Sequence, residues 1–270
     1  MSLDRKINRI QFLSGNSLKV IAVLTMLIDH LCKIVLQWLL SNYWGAMADN
    51  GQMSWERFRE IDYFIRFDLQ SIGTIAFPLF CFLLAEGFQH TRSKKRYIGL
   101  MLAFALISEV PFDIGFFNAY SRMEGTFPFY LKYQNVFFTL FLGLLTLVCL
   151  ERFSCKSDLP VDRIKSAVLQ VLSVVLFSGI AEGIHCDYGM QGILFISAFY
   201  ICRNHRIYQV LLFLLAYMGT TGNQPPLCTL LACLLILCFL SSTYPCPVFD
   251  SGRTRKILTE MTNCSLSYRD

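Results

Sequence analysis

Asp29, His30 and Lys33 stand inside an apolar run, Leu18–Leu40, and Glu109 and Asp113 stand inside another, Tyr97–Phe117. A charged group at the centre of a membrane helix costs about 2.5–3.5 kcal/mol on insertion scales, so each needs a partner or a role. Asp29 and Lys33 are spaced i,i+4 and can pair along one helix face. His30 points roughly 100° away from Asp29 and lies about 18 Å along a helix that starts at Leu18. Histidine accepts and releases protons in the physiological range, so His30 at this depth is a candidate general base. The plainer alternative is a hydrogen-bonded packing histidine.

Glu109 and Asp113 repeat the i,i+4 spacing, with Pro111 between them to remove one backbone donor. Two carboxylates on one face repel if both ionise, so one holds a proton or both face a cation or an imidazolium. At Glu109, 12 residues past Tyr97, the calculated depth equals that of His30, about 18 Å. Asp29, His30, Glu109 and Asp113 are therefore expected to turn inward onto one polar cavity. Glu86 follows Pro78 near the end of another apolar run, and Glu182, His185 and Asp187 close a further one. The string Gln89-His90-Thr91-Arg92-Ser93-Lys94-Lys95-Arg96 holds four cations in five residues. It suits phosphate groups of a nucleotide or lipid, or serves only to orient the chain.

The elements that must position these groups are membrane helices. Charged residues make up 16% of the 270 and the hydrophobic set 54%, with mean hydropathy +0.48. Soluble domains carry roughly 25% charged residues. Eight apolar segments are expected: Leu18–Leu40, Ile72–Gln89, Tyr97–Phe117, Asn135–Phe153, Ser166–Ile184, Tyr188–Cys202, Ile207–Tyr217 and Pro226–Thr243. The expectation is an all-α polytopic transmembrane bundle over 18–243, with a cytoplasmic N-terminal segment 1–17 and a polar cytoplasmic tail 244–270. With the N-terminus inside, 18 Lys and Arg fall in inner loops and 5 in outer ones, which predicts both termini cytoplasmic. The net charge of +5 reports that orientation rather than nucleic-acid binding. Trp55, Phe58, Ile61 and Ile65, at near-helical spacing among charges, predict an amphipathic helix lying on the outer membrane surface. The 11 cysteines form no CxxC pair. Walker loops, GxGxxG, HExxH and GxSxG are all absent, which argues against ATPases, nucleotide-linked oxidoreductases, zinc proteases and ordinary hydrolases.

Several strings in order carry a resemblance. Met26-Leu27-Ile28-Asp29-His30 is followed by Ala76-Phe77-Pro78-Leu79-Phe80 and by Leu84-Ala85-Glu86-Gly87-Phe88. Ile107-Ser108-Glu109-Val110-Pro111-Phe112-Asp113, then Gln134-Asn135-Val136-Phe137-Phe138-Thr139 and Asp187-Tyr188-Gly189, complete the set. Together they resemble the TraX family of integral membrane proteins over about Leu18–Leu240, and more distantly the transmembrane acyltransferases. The resemblance implies a bacterial inner-membrane protein that moves an acetyl group from cytosolic acetyl-CoA to an extracytoplasmic amine or hydroxyl. The acceptor would be a pilin-like N-terminus or an envelope glycan. It maps the family histidine onto His30 and its carboxylates onto Asp29, Glu86, Glu109 and Asp113.

On that reading His30 is the base and Glu109 or Asp113 orients its ring. Gln134 and Asn135 donate to the oxyanion, Asp187 and Tyr188 contact substrate, and Arg92, Lys94, Lys95 and Arg96 hold the CoA phosphates. No metal is called for. The competing readings are a proton-coupled transporter, in which the same groups relay protons, and a non-catalytic assembly factor of a conjugation or secretion system.

Overall fold

The structure is a computed structural model that describes residues 12–118, 130, 132–155 and 159–239. The expected tail 244–270 and most of the segment 1–17 lie outside the described residues. Among the described residues eight helices follow one another: α1 Gly15–Asp49, α2 Trp55–His90, α3 Lys94–Phe116, α4 Val136–Arg152, α5 Pro160–Gly183, α6 Gly189–Ile201, α7 Arg206–Thr221 and α8 Leu227–Leu237. Among the described residues the β contacts are two isolated bridges, Leu13 with Phe239 and Gln134 with Cys186.

Local chemistry sets the helix starts. The side chains of Ser14, Ser54, Ser93 and Asn135 accept from the backbone N–H of Ser17, Arg57, Arg96 and Phe137, which satisfies donors the first turn leaves orphaned. Helix α5 opens instead on Pro160, whose missing N–H costs nothing at that position. At Gly222 (φ +67°) the chain turns into the left-handed region and ends α7.

Helices α1, α2, α3 and α5 are long and apolar enough to cross a membrane. At 1.5 Å per residue, the 35 residues of α1 and 36 of α2 extend beyond 50 Å, against a hydrocarbon core of about 30 Å. Their far halves therefore continue past the other helices as an antiparallel hairpin. This corrects the expectation of a surface-lying amphipathic helix. Trp55–Tyr63 is the opening of α2, and Phe58, Ile61 and Ile65 pack on Leu36, Leu40 and Trp44 of α1. The extension of α1 offers that stripe a packed protein partner, which the sequence of the stripe alone does not reveal.

Helix α6 is the centre of the bundle. It packs on α2, α4, α5 and α7, and nine of its 13 residues are buried. Gly192 makes this possible: a Cβ there would stand 2.3 Å from Thr139 Cγ2 and 3.0 Å from Phe77 Cζ. Phe82, Phe88, Phe195, Phe199 and Phe213 fill the interior around it. On the outside, Val20, Leu27, Phe104, Ile107, Val171 and Leu176 are exposed, as lipid-facing positions must be. Because lipid tails are as apolar as leucine, close packing of such helices holds the bundle rather than escape from water. The alternating helix directions gather the loops 91–93 and 202–205 and the end of α4 at one end, the basic end. Residues 130, 132–135 and 184–188 gather at the other.

Candidate functional site

The outer turns of α1, α2 and α3 are wider than α-helical. π-Helical stretches run over Leu31–Leu36, Leu40–Trp44, Phe64–Leu69 and Ile114–Asn118. Such turns are rare and re-aim side chains, and they recur at functional sites. Two of them begin directly after His30 and Asp113. Counted along their helices from the basic end, Asp29, Gly73, Glu109 and Asn135 all lie about 21–26 Å away. One polar layer thus crosses the bundle near its far end.

On α1, Lys33 Nζ donates to Asp29 Oδ2 at 2.8 Å. The same oxygen lies 3.8 Å from His30 Nδ1. His30 Nδ1 is 3.0 Å from the Met26 carbonyl oxygen, which only accepts, so Nδ1 carries a hydrogen in this contact. The ring stands edge-on to Phe116, with the side chain 42% exposed. Asp29 is held from behind by α2: a Cβ at Gly73 would fall 2.4 Å from Asp29 Cβ and 2.5 Å from its Oδ1, so only glycine permits this approach. Asp29 and Lys33 line a cleft of about 310 Å³ with Arg66, Phe67, Gln70, Ser71, Gly73, Thr74 and Tyr188.

The wall beyond Tyr188 is non-helical backbone, in which Cys186 is buried and Asp187 half-buried. The N–H of Gln134 donates to the His185 carbonyl (3.1 Å) and that of Asp187 to the Gln134 carbonyl (2.9 Å). The Thr139 hydroxyl donates to the Asp187 carbonyl, and the Tyr133 hydroxyl to Asp187 Oδ1 at 3.1 Å. Burial pushes the Asp187 carboxyl above its ordinary range and the Tyr133 hydroxyl well up. His185 (φ +54°) and Tyr188 (φ +63°) both adopt left-handed backbone without being glycine. Strain of about 1–3 kcal/mol at each is held by the surroundings: Tyr188 stacks on Phe77 with ring centroids 3.5 Å apart.

Glu109 and Asp113 turn inward but not into the cleft. The Asn135 amide donates to Glu109 Oε2 and to the Ala105 carbonyl, and its oxygen caps α4. The Tyr130 N–H donates to Asp113 Oδ2 at 2.6 Å. Glu109 Oε1 and Asp113 Oδ1 are buried with no hydrogen-bond partner among the described residues. The loop 184–188 divides this pair from the cleft. Asp187 lies within electrostatic range of Lys33 and Asp29, and Cys186 within that of Glu109. The carboxylate in contact with His30 is Asp29. Asn135, expected to face an oxyanion, has its side chain committed to the link between α3 and α4.

Glu86 sits apart, at the basic end. Its Oε1 accepts from Arg206 Nη1 (2.9 Å), which also donates to Gln209 Oε1 (2.9 Å), and His90 Nε2 is 3.7 Å from Glu86 Oε2. The Arg206 guanidinium lies over the Phe82 and Phe239 rings, and its Nε and Nη2 have no hydrogen-bond partner among the described residues. Lys94 pairs with Glu151 and lies over Phe88, Arg203 lies over Tyr200, and those two rings touch edge to face. Arg92, Lys95 and Arg96 are exposed. Arg203 and Arg206 thus join the cluster expected from the 92–96 string. Sequence spacing did not bring them together; only the fold does. Lys33, Gly73 and Tyr133 were likewise not expected as site-building residues, although the Asp29–Lys33 spacing was visible.

Residues 14–253 match the family described as TraX protein, so the chain belongs to the TraX family. It is also similar to the probable fimbrial assembly protein FimC, serogroup H1, of Dichelobacter nodosus. The two are 29% identical over 210 residues, which cover 76% of this chain and 69% of that relative. No solved structure matches it.

Proposed function

From its membership of the TraX family, we propose that this protein is an integral membrane acyltransferase of a bacterial inner membrane. It moves an acetyl group from cytosolic acetyl-CoA to an amine or hydroxyl on the outer side, on a fimbrial subunit or an envelope glycan. The observation that carries this reading is the state of His30. The Met26 carbonyl engages Nδ1, which leaves Nε2 as the ring nitrogen able to exchange a proton with substrate, on a half-exposed ring whose other nitrogen is beside a carboxylate. General-base help of this kind contributes about 10²–10⁴-fold. Asp29 supports the imidazolium that forms.

The charge asymmetry orients the basic end toward the cytosol. There Arg92, Lys95 and Arg96 are exposed and offer donors suited to the phosphates of CoA. The acyl arm enters between α2 and α3, which packs chiefly on α4 and touches α1 at its far end. A proton-coupled transporter needs a polar path between the two ends. The level between them is filled instead by Phe82, Phe195 and Phe213.

Binding of CoA to the purified protein in detergent tests the donor half of this reading. Saturable binding that weakens at least tenfold in the Arg92→Gln, Lys95→Gln, Arg96→Gln triple variant supports it. No binding by the wild type contradicts it.

A further inference from the structure

The cleft between the outer halves of α1 and α2 is a site apart from His30, whose ring turns to Phe116 of α3 and does not line it. Its charges are matched within the protein. Lys33 Nζ donates to Asp29 Oδ2, and Arg66 Nε donates to Asp62 Oδ1 while its Nη atoms face the side-chain amide of Gln37. A phosphate entering the cleft would compete with a carboxylate for each cation, and an ammonium with a cation for each carboxylate, so neither is favoured.

The groups left to a ligand are neutral. The Gln70 side-chain amide and the Tyr188 hydroxyl line the cleft and make no hydrogen bond among the described residues. The Thr74 hydroxyl spends its hydrogen on the Ser71 carbonyl, which leaves its oxygen to accept. Aromatic surface completes the lining. Tyr188 stacks on Phe77 and is 38% exposed, and Phe67 stacks on Tyr63 and is 61% exposed.

We propose that this cleft binds one neutral sugar ring of a glycan presented at the outer face of the membrane. A pyranose matches the lining: its C–H faces pack on aromatic rings, and its rim of hydroxyls both donates and accepts. The volume of about 310 Å³ lies at the small end of ligand sites and suits one ring rather than a chain. The level also fits. Gln70 and Arg66 stand about 30 and 36 Å from the basic end, at the outer edge of a hydrocarbon core about 30 Å thick. This binding goes beyond acyl transfer and requires no step at His30.

The test uses the full chain in phosphatidylcholine nanodiscs, with empty nanodiscs as the blank. Methyl glycosides of glucose, galactose and N-acetylglucosamine are titrated beside phosphocholine, choline and inorganic phosphate, and saturation transfer from protein to ligand protons (for phosphate, the phosphorus linewidth) is read by NMR. At least one glycoside should bind saturably and more tightly than the three charged probes. The Gln70→Ala, Tyr188→Phe double variant should weaken it about fivefold or more, as the loss of two neutral hydrogen bonds implies, with the unfolding temperature unchanged. Thr74→Val, at an exposed position, should weaken the same glycoside and keeps the test decisive if the double variant is less stable. Absence of saturable glycoside binding by the wild type overturns the proposal. So does phosphocholine, choline or phosphate binding as tightly as every glycoside, or glycoside binding that Thr74→Val and the double variant leave unchanged.

Discussion

His30 is useful because of what holds it. A carbonyl one helical turn back engages Nδ1, and a carboxylate lies next to it. Its replacement by alanine is expected to lower acetyl transfer about 10²–10⁴-fold while insertion and unfolding temperature stay near wild type. Rates of label incorporation and thermal unfolding in detergent check both halves. Asn135 should behave in the opposite way. Asn135→Ala strips Glu109 of its amide donor and α4 of its cap, and is expected to destabilise by about 1–3 kcal/mol. A lowered unfolding temperature with a near-normal rate for the remaining folded protein would bear this out. The difference between these two residues was not legible beforehand. His30 is an ionisable group in an apolar run, which composition exposes. Asn135 precedes an apolar run, where a cap and an oxyanion donor look alike in sequence; only the approach of α3 decides between them.

At the scale of elements, the polar layer depends on close approach and wide turns. Gly73→Ala would drive a Cβ to 2.5 Å from Asp29 Oδ1, and neither helix backbone can yield easily. Overpacking of this kind costs about 1–3 kcal/mol. The variant should lose transfer activity as strongly as an Asp29→Ala variant, while a Gly99→Ala control, with open space around it, should be neutral. Activity and thermal unfolding of the three variants side by side test the contrast. At the basic end, Arg206→Ala leaves Glu86 buried without its guanidinium, and loss of one partner of such a pair costs about 3–5 kcal/mol. Arg206→Ala, Glu86→Gln should recover part of that loss in unfolding temperature. The eight helices were legible from apolar runs alone. The π-helical turns and the α1–α2 hairpin were not, because they arise from contacts between helices rather than from any one helix's pattern. The carboxylates of α3 were read correctly as inward-facing, since lipid rejects them. That they face Asn135 and Tyr130 rather than the cleft follows from the loop 184–188, whose left-handed residues carry no sequence mark beyond Gly189.

For the whole molecule, the account joins a cationic end that suits an anionic donor to a layer of base, cation and carboxylate about 21–26 Å away. The proposed orientation, drawn from the 18-to-5 distribution of Lys and Arg, has the cationic end in the cytosol. A cysteine placed at Lys95 should accordingly react with a membrane-impermeant thiol reagent in inverted vesicles but not in intact cells. The central claim is acetyl transfer across the membrane, and mass spectrometry of envelope components tests it most directly. Cells with the wild-type protein, with His30→Ala and without the protein are to be compared after growth on labelled acetate. The account predicts a fimbrial subunit or glycan heavier by one labelled acetyl group in wild-type cells alone. Identical envelope masses in all three, or an acetyl group that persists with His30→Ala, would contradict it.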